Sequence, residues 1–239
     1  MDALTEVAGQ LRISLTPAQA SQLSRFAELL LEANVRAGLT SGKTDRETLY
    51  RRHLAESLAL LAALEVRGML ASPVIDIGTG GGLPGLPMKI ARPDLEITLL
   101  EATGKKAQFL LSVVAELGLS SVTVIHGRAE DLAHDSAHRG AYRLALARAV
   151  APLRTLLEIA LPFLAPGGVL AAPKGSSAPR EIVEAERALG LLGGEIEGRE
   201  PLRIPGDAGP VPALVIVRKV APTPAAYPRR AGIPAKRPL

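Results

Sequence analysis

Apolar residues recur at helical spacing through the first 68 residues, and no alternating strand pattern interrupts them. Residues 16–19 form a helix start in which Thr is the N-cap, Pro occupies the first turn and Gln completes a capping box. Gly38 is expected to end this helix, and a second capping box from Thr44 to Glu47 begins another. We therefore predict a helical N-terminal segment over residues 1–68.

From residue 73 the pattern changes to short apolar strands that alternate with helical stretches. The predicted strands are 74–77, 96–100, 122–125, 142–146, 168–172 and 213–217. This alternation predicts a mostly parallel sheet with helices on both faces, and the last strand, which no helix follows, is expected to be antiparallel. The prolines after residue 220 argue against any regular helix or central strand there. Residues 69–220 are the predicted sheet domain and 221–239 a separate tail.

Composition excludes several classes of protein. The chain has 239 residues of which 47% are apolar, too many for a disordered chain, and no apolar run reaches the roughly 18 residues that span a bilayer. The N-terminus has no basic region, so we expect no secretory signal and a cytoplasmic location. Absence of cysteine excludes disulfides and Cys nucleophiles, and the four histidines lack ligand spacing, so no metal is expected.

The positive charge is concentrated at the C-terminus. Six of the 28 basic residues lie among the last 22 positions, which hold no Asp or Glu, and the rest of the chain carries 22 basic and 24 acidic residues. Such a tail suggests a polyanionic partner. A solvated extension that aids solubility is the alternative, and charge by itself does not separate the two.

A glycine-rich loop, Asp76 to Gly85, follows the first predicted strand. The span Gly80 to Gly85 fits the dinucleotide pattern G-x-G-x-x-G, which is weak evidence when it stands by itself. Asp76 would repel a pyrophosphate and attract an ammonium group, and Pro84 lacks the N–H that a phosphate-binding helix start uses. An acidic strand end before a glycine loop resembles the S-adenosylmethionine site of class I methyltransferases. A tight turn without a ligand is the alternative.

Two further loops follow strand ends. Glu101 ends the second strand, where a carboxylate can accept hydrogen bonds from ribose hydroxyls of either NAD or S-adenosylmethionine. Residues 127–131 follow the third strand. They either border the adenine of a bound cofactor or simply begin a helix, with acidic residues at its positive end.

The loop at residues 147–152 follows the fourth strand. It lacks the acidic or amide residue followed by two prolines that is typical of exocyclic-amine methylation, and the chain has no Cys for pyrimidine C5 chemistry. A ring nitrogen such as guanine N7, or a hydroxyl, remains as acceptor, and N7 requires no general base because it loses no proton. Arg148 could bind a phosphate, a purine O6 or a cofactor carboxylate, or form a structural ion pair.

Taken together, several segments resemble the RsmG family, also called glucose-inhibited division protein B, of bacterial rRNA guanine-N7 methyltransferases. The matching segments are 52–57, 76–87, 105–110, 127–131, 148–151, 174–175 and 223–239. The resemblance implies a class I, Rossmann-like methyltransferase fold of α/β class. That fold has a mostly parallel seven-stranded sheet, helices on both faces and an N-terminal helical extension.

The resemblance also implies S-adenosylmethionine as methyl donor and, as acceptor, N7 of a guanine in 16S rRNA near the decoding region, by direct in-line transfer. With the loop reasoning, the expected cofactor contacts are Asp76, Gly78, Gly80, Leu83, Glu101, Ala129, Glu130 and Arg148. Arg148 is also the one candidate catalytic residue, on the acceptor side. The expected RNA contacts are His53, Lys174, Tyr227, Arg229, Arg230 and Lys236. Glu56 and Glu101 depart from the family, which usually has Asp at both positions.

Two other functions stay open at this point: an NAD-dependent oxidoreductase, and a noncatalytic RNA-binding assembly protein on a methyltransferase fold. The chain has no Trp, three Phe and three Tyr, so RNA binding through backbone charge is expected rather than extensive base stacking. The substrate could be free 16S rRNA, an assembly intermediate or the small ribosomal subunit. A monomer is favoured.

Overall fold

The computed structural model describes residues 3–37 and 45–239. All regular elements of the N-terminal segment are helical, as predicted, and residues 11–16 connect the first two helices. Its elements are α1 (Ala3–Gln10), α2 (Pro17–Ala37), α3 (Arg46–Thr48), a π-helical segment (Leu49–Leu54) and α4 (Ala55–Val66). Among the helices that the structure describes, none is both long and apolar enough to cross a membrane.

Capping hydrogen bonds set where these helices begin. The predicted box at α2 is confirmed, since Thr16 N donates to Gln19 Oε1 at 2.8 Å and Gln19 N donates to Thr16 Oγ1 at 3.3 Å. The second prediction was wrong by one residue. Asp45 is the N-cap of α3 and accepts from Thr48 N at 2.7 Å. The predicted cap Thr44 and the predicted stop Gly38 lie outside the described residues.

A mixed seven-stranded sheet has the order β3-β2-β1-β4-β5-β7-β6. The strands are β1 (Val74–Ile77), β2 (Ile97–Glu101), β3 (Val122–His126), β4 (Tyr142–Leu146), β5 (Leu164–Lys174), β6 (Gly194–Pro201) and β7 (Ala213–Lys219). The first five are parallel, and β7 runs antiparallel to β5 and to β6. This order confirms the predicted class I fold, and its switch point lies between β1 and β4.

Two elements depart from the pattern analysis. Strand β6 was not predicted because it alternates glycine and charged residues with a single apolar Ile196, a composition suited to an exposed sheet edge. The expectation that the tail forms no regular helix was wrong for one turn, α11 (Ile233–Lys236). Pro234 fits there because the first turn of a helix does not use its N–H groups.

Helices cover both faces of the sheet. The remaining helices are α5 (Gly85–Ala91), α6 (Gly104–Glu116), α7 (Ala129–Leu132), α8 (Leu153–Ala160) with a 3₁₀ turn (Leu161–Phe163), α9 (Ala178–Glu184) and α10 (Glu186–Leu192). Alternate residues of β4 enter opposite cores: Leu144 packs with the N-terminal helices, α5 and α6, whereas Ala145 packs with α8 and α10. Because the N-terminal helices share a core with the sheet, they are held beside the edge where its parallel strands end. The division into 1–68, 69–220 and 221–239 stays a prediction.

Candidate active site

A cavity of about 830 Å³ opens at the carboxyl ends of β1 and β4, at the switch point of the sheet. Its wall combines the loops after these two strands with the π-helical segment, the end of β5 and the loop before β7. The lining includes Arg52, His53, Gly78–Gly81, Leu83, Arg148–Pro152, Lys174 and Pro210–Pro212. A π-helical segment inside an α-helical region is often found at functional sites.

Asp76 lies beneath the glycine loop and is completely buried. Its Oδ2 accepts from Thr79 Oγ1 at 2.6 Å and from Gly85 N at 2.9 Å, whereas Oδ1 has no partner among the described residues. Burial raises the pKa of this carboxyl to about 6. A Cβ on Gly85 would lie 2.7 Å from Asp76 Oδ2, so only glycine lets the loop wrap this closely.

The glycine loop also contacts the loop after β4. Gly78 and Gly80 have φ values of +65° and +60°, in the left-handed region that favours glycine. A Cβ on Gly78 would lie 3.1 Å from Val150 Cγ2, so the two loops leave no room for a side chain between them. Ala149 also has a positive φ, +55°, which is uncommon for a residue with a side chain and typical of loops at functional sites.

Glu101 joins two loops of the site. It ends β2, is buried, and accepts from Gly80 N at 2.9 Å through Oε2 and from Thr103 N at 2.7 Å through Oε1. Each carboxylate oxygen can accept a further hydrogen bond. Glu101 therefore orders the glycine loop and keeps capacity for hydroxyl donors. The first of these roles was not foreseen from the sequence.

Arg148 ties the loop after β4 to the N-terminal helices. Its Nη1 donates to Glu56 Oε2 at 3.1 Å and to the carbonyl of His53 at 3.3 Å, and the two charged side chains are only 15% and 13% exposed. Burial, and then the charges of Arg148 and Arg52, lower the pKa of His53 to about 4, so its imidazole is neutral near pH 7. Glu56 was not among the predicted site residues, although it lies in a segment that carries the resemblance.

Lys174 lies in the cavity wall, where it also has a structural role. Its Nζ donates to the carbonyl of Ala151 at 2.5 Å and pairs with Glu181 Oε2 at 2.9 Å. Glu181 accepts in addition from Leu153 N and Ser177 Oγ. This group of contacts joins the end of β5 to the loop after β4.

The other predicted residues do not line this cavity. Ala129 and Glu130 begin α7, and Glu130 Oε1 accepts from Gly232 N at 2.9 Å. Tyr227 and Arg229 are partly buried in the tail, whereas Arg230 and Lys236 are exposed. Within the described residues, no group of acidic, His or Cys side chains is arranged to hold a metal ion.

Comparison with known proteins identifies the family. The family model for rRNA small subunit methyltransferase G matches residues 19–198. The chain belongs to this family. It is 46% identical over 239 residues to the Ribosomal RNA small subunit methyltransferase G of Roseiflexus castenholzii, with 100% of each chain covered. The chain is also 48% identical over 229 residues to the Ribosomal RNA small subunit methyltransferase G of Chloroflexus aggregans. This match covers 95% of this chain and 93% of the relative.

Solved structures share the fold of this methyltransferase at low sequence identity. A protein assigned as an O-methyltransferase from Klebsiella pneumoniae has a TM-score of 0.55 and 20% identity, covering 87% of this chain and 92% of its own. The C9 mutein of branched-chain polyamine synthase from Thermus thermophilus also has a TM-score of 0.55, at 16% identity. The match covers 82% of this chain and 64% of the synthase. A methyltransferase and a polyamine synthase share this fold, so the fold does not set the chemistry.

S-adenosylmethionine is the cofactor of this family, and the residues at the switch point fit it. The unpartnered oxygen of Asp76 lies under a loop that faces the cavity, and it is anionic where a cationic ligand would bind. Gly78 and Gly80 line the cavity with backbone that carries no side chain, and both have a positive φ, so the loop can approach a ligand closely. Family membership decides against the NAD-dependent oxidoreductase, which depended on loop spacing and Glu101.

Proposed function

We propose that this methyltransferase acts on N7 of a guanine in 16S rRNA of the small ribosomal subunit, by direct in-line transfer without a general base. Its full-length relatives are named for methylation of small-subunit rRNA. The structural observation that carries the proposal is the cavity between the glycine loop and the loop after β4, whose wall carboxylates are held by cationic partners.

On the cofactor side the loop after β1 lines this cavity, and the loops after β2 and β3 follow it along the same edge of the parallel sheet. We assign the cofactor contacts to Asp76, Gly78, Gly80, Leu83, Glu101, Ala129, Glu130 and Arg148. When bound, S-adenosylmethionine supplies an electrophilic methyl group on a sulfonium. The carboxylate of Asp76 favours the cationic ligand, and Glu101 has oxygen lone pairs available for the ribose hydroxyls.

Among the residues that the structure describes, none on the acceptor side is a competent base, which suits a ring nitrogen. Glu56 is paired with Arg148, Glu181 is paired with Lys174, and the imidazole of His53 has a pKa of about 4 and accepts a proton poorly. Guanine N7 already has a lone pair and loses no proton, so alignment is the main requirement. Arg148, which lines the cavity, is the candidate catalytic residue, and its guanidinium would contact either the guanine O6 or the cofactor carboxylate.

RNA contacts are proposed on two surfaces. His53 and Lys174 lie in the cavity wall, and Tyr227, Arg229, Arg230 and Lys236 lie in the tail. Arg230 and Lys236 are exposed and thus the best placed to meet phosphates. We further propose that the protein acts as a monomer in the cytoplasm, where small ribosomal subunits are found.

Nucleoside mass spectrometry tests the proposed product. Purified protein, S-adenosylmethionine and unmethylated 16S rRNA or small subunits should yield 7-methylguanosine at one position. Gly78→Asp should abolish it, because its side chain would fill the space against Val150 and place a second carboxylate in the loop. A methyl group on another guanine atom would contradict the N7 assignment. A single-turnover rate that rises tenfold per pH unit through neutral pH would contradict transfer without a base.

Salt dependence tests the RNA contacts of the tail. Replacing both Arg230 and Lys236 with Ala should flatten the salt dependence of RNA binding by up to about 0.7 log units for each phosphate that these side chains neutralise. Glu195→Ala, an exposed substitution in edge strand β6, serves as the control. An unchanged slope in the double variant would show that these two residues do not meet phosphates.

A further inference from the structure

The C-terminal segment returns to the edge of the sheet where the active site lies. Strand β7 is antiparallel to β5, so it ends at Lys219 on the edge opposite the site. Thr155, in the first turn of α8 just after the site loop, donates from Oγ1 to the carbonyl of Pro234 at 3.2 Å. We call residues 221–237 the strap. The strap starts at the end of the sheet opposite the site and runs alongside the strands to the end where the site lies.

The first half of the strap is fastened by side chains from the turn before β4. The guanidinium of Arg139 donates to the carbonyls of Thr223, Pro224 and Tyr227 at 2.9, 3.1 and 2.9 Å. The imidazole of His134 contacts the carbonyl of Pro228 at 2.8 Å. These contacts are made to backbone carbonyls of the strap, so they do not depend on the side chains of the strap residues.

An ion pair with a buried carboxylate fastens the middle of the strap. Arg229 donates from N and Nε to Glu158 Oε1 at 2.9 and 2.8 Å and from Nη2 to Oε2 at 2.6 Å. Glu158 on α8 is 0% exposed, so removing Arg229 would leave a buried charge without its partner. Arg229 thus has a structural role in addition to any contact with RNA.

A hydrogen bond from the second half of the strap reaches the helix that follows β3. Gly232 N donates to Glu130 Oε1 at 2.9 Å, and Glu130 lies in α7 directly after Ala129. Helix α7 has four residues, none of them fully buried, and only Ala129 and Leu132 pack against the core, so a further contact helps to fix its position. It begins where β3 ends, on the same edge as the glycine loop, and Gly127 N donates to the carbonyl of Glu101 at 3.0 Å.

We propose that the strap positions the cofactor side of the site. The side chain of Glu130 acts as a positioning group through Gly232 N, and it holds the backbone of Ala129 and Glu130 where these residues meet the cofactor. This inference rests on the proposed function, because it takes the loop after β3 as part of the cofactor site. The strap fastens α7 and α8, the helices that follow β3 and β4. Removal of its last residues frees α7 and also takes away the carbonyls of Pro234 and Arg237, which accept from Thr155 and Arg229. The hydrogen bonds of Arg139 to the strap and of Arg229 to Glu158 stay in place.

Calorimetric titration with S-adenosylhomocysteine tests the proposal on the full chain, Glu130→Ala, a chain ending at Ala231, and the two changes combined. Glu130→Ala and the shortened chain should each weaken binding about tenfold, and the combination should be no weaker than the shortened chain, because all three variants lack the same hydrogen bond. Thermal unfolding of each variant, with Glu130→Gln as a milder replacement, separates a local effect from loss of the fold.

Two control variants match these changes. Asp131→Ala alters the exposed neighbour of Glu130, and Arg237→Ala removes an exposed charge that the shortened chain also lacks. Asp131→Ala and the single change Arg237→Ala, at a residue with no role in the proposed function, should bind S-adenosylhomocysteine as the full chain does.

Three results would count against these ideas, and they are distinguishable. If Glu130→Ala weakens binding equally in the full and the shortened chain, the side chain of Glu130 touches the cofactor itself and the positioning role is wrong. If the shortened chain binds with full affinity, the strap has no such role, and the proposed function is unaffected. If the full chain neither binds S-adenosylhomocysteine nor methylates RNA, the proposed function fails and this inference fails with it.

Discussion

Replacing Asp76 with Asn should change how the stability of the protein depends on pH. The carboxyl is completely buried, and burial raises its pKa from 3.8 to about 6. A raised pKa means that the folded state holds the proton more tightly than the unfolded state does. The carboxyl therefore gives its full stabilising effect below about pH 4, and that effect is lost as pH rises through about 6.

The magnitude follows from the size of this shift. About two pKa units, at about 1.4 kcal/mol each, correspond to about 3 kcal/mol between acidic and neutral pH. An Asn oxygen can still accept from Thr79 and Gly85, as Asp76 Oδ2 does, but the amide does not titrate. The buried amide group has a cost of its own, about 1–3 kcal/mol, that does not vary with pH.

Urea unfolding of cofactor-free protein from about pH 4 to about pH 8 measures the effect. Other groups titrate alike in both proteins, so the difference between the two stability curves isolates Asp76. The free energy of unfolding of Asp76→Asn, relative to the original protein, should rise by about 3 kcal/mol over this range, mostly between pH 4 and pH 7. Parallel curves would refute the reasoning, because they would show that Asp76 has an ordinary pKa in the folded protein.

Two further substitutions test the packing of the site by thermal or urea unfolding. Gly85→Ala should lower the free energy of unfolding by about 1–3 kcal/mol, because its Cβ would lie 2.7 Å from Asp76 Oδ2, whereas Gly127→Ala, which has open space around it, should change it little. Equal effects of the two would contradict the close approach. Glu56→Ala should cost about 2–3 kcal/mol by leaving Arg148 without its partner in a largely buried site, and adding Arg148→Ala should recover part of this cost. Strictly additive effects would show that the pair is not coupled.

Local signals in the sequence were sufficient for much of the fold. The capping box at Thr16 and Gln19 depends on residues three apart, so its hydrogen bonds form wherever that helix forms. The apolar strands also lie where predicted, because strands buried on both faces are continuous apolar runs. Strand β6 has no such run and is recognisable only from its pairing with β7.

For the site, the sequence indicated which residues would gather but not what each one holds. Asp76 and the glycine loop form one continuous segment, so their proximity follows from chain connectivity. Glu101 was expected to face a ribose, and the fold also makes it the acceptor for Gly80 N, 21 residues away in sequence. Arg148 was left between ligand binding and an ion pair, and the structure pairs it with Glu56, 92 residues away.

The tail shows most clearly what tertiary structure decides. Sequence alone determined its charge and its prolines, and both suggested an extension independent of the fold. The fold instead joins Arg229 to Glu158, 71 residues away, and Gly232 to Glu130, 102 residues away. Composition and periodicity indicate which side chains of a segment are exposed to solvent and which contacts it makes with residues nearby in the chain. An arginine pairs with a particular distant carboxylate only because the helices and strands pack in one arrangement. That arrangement is set by the packing of the whole core.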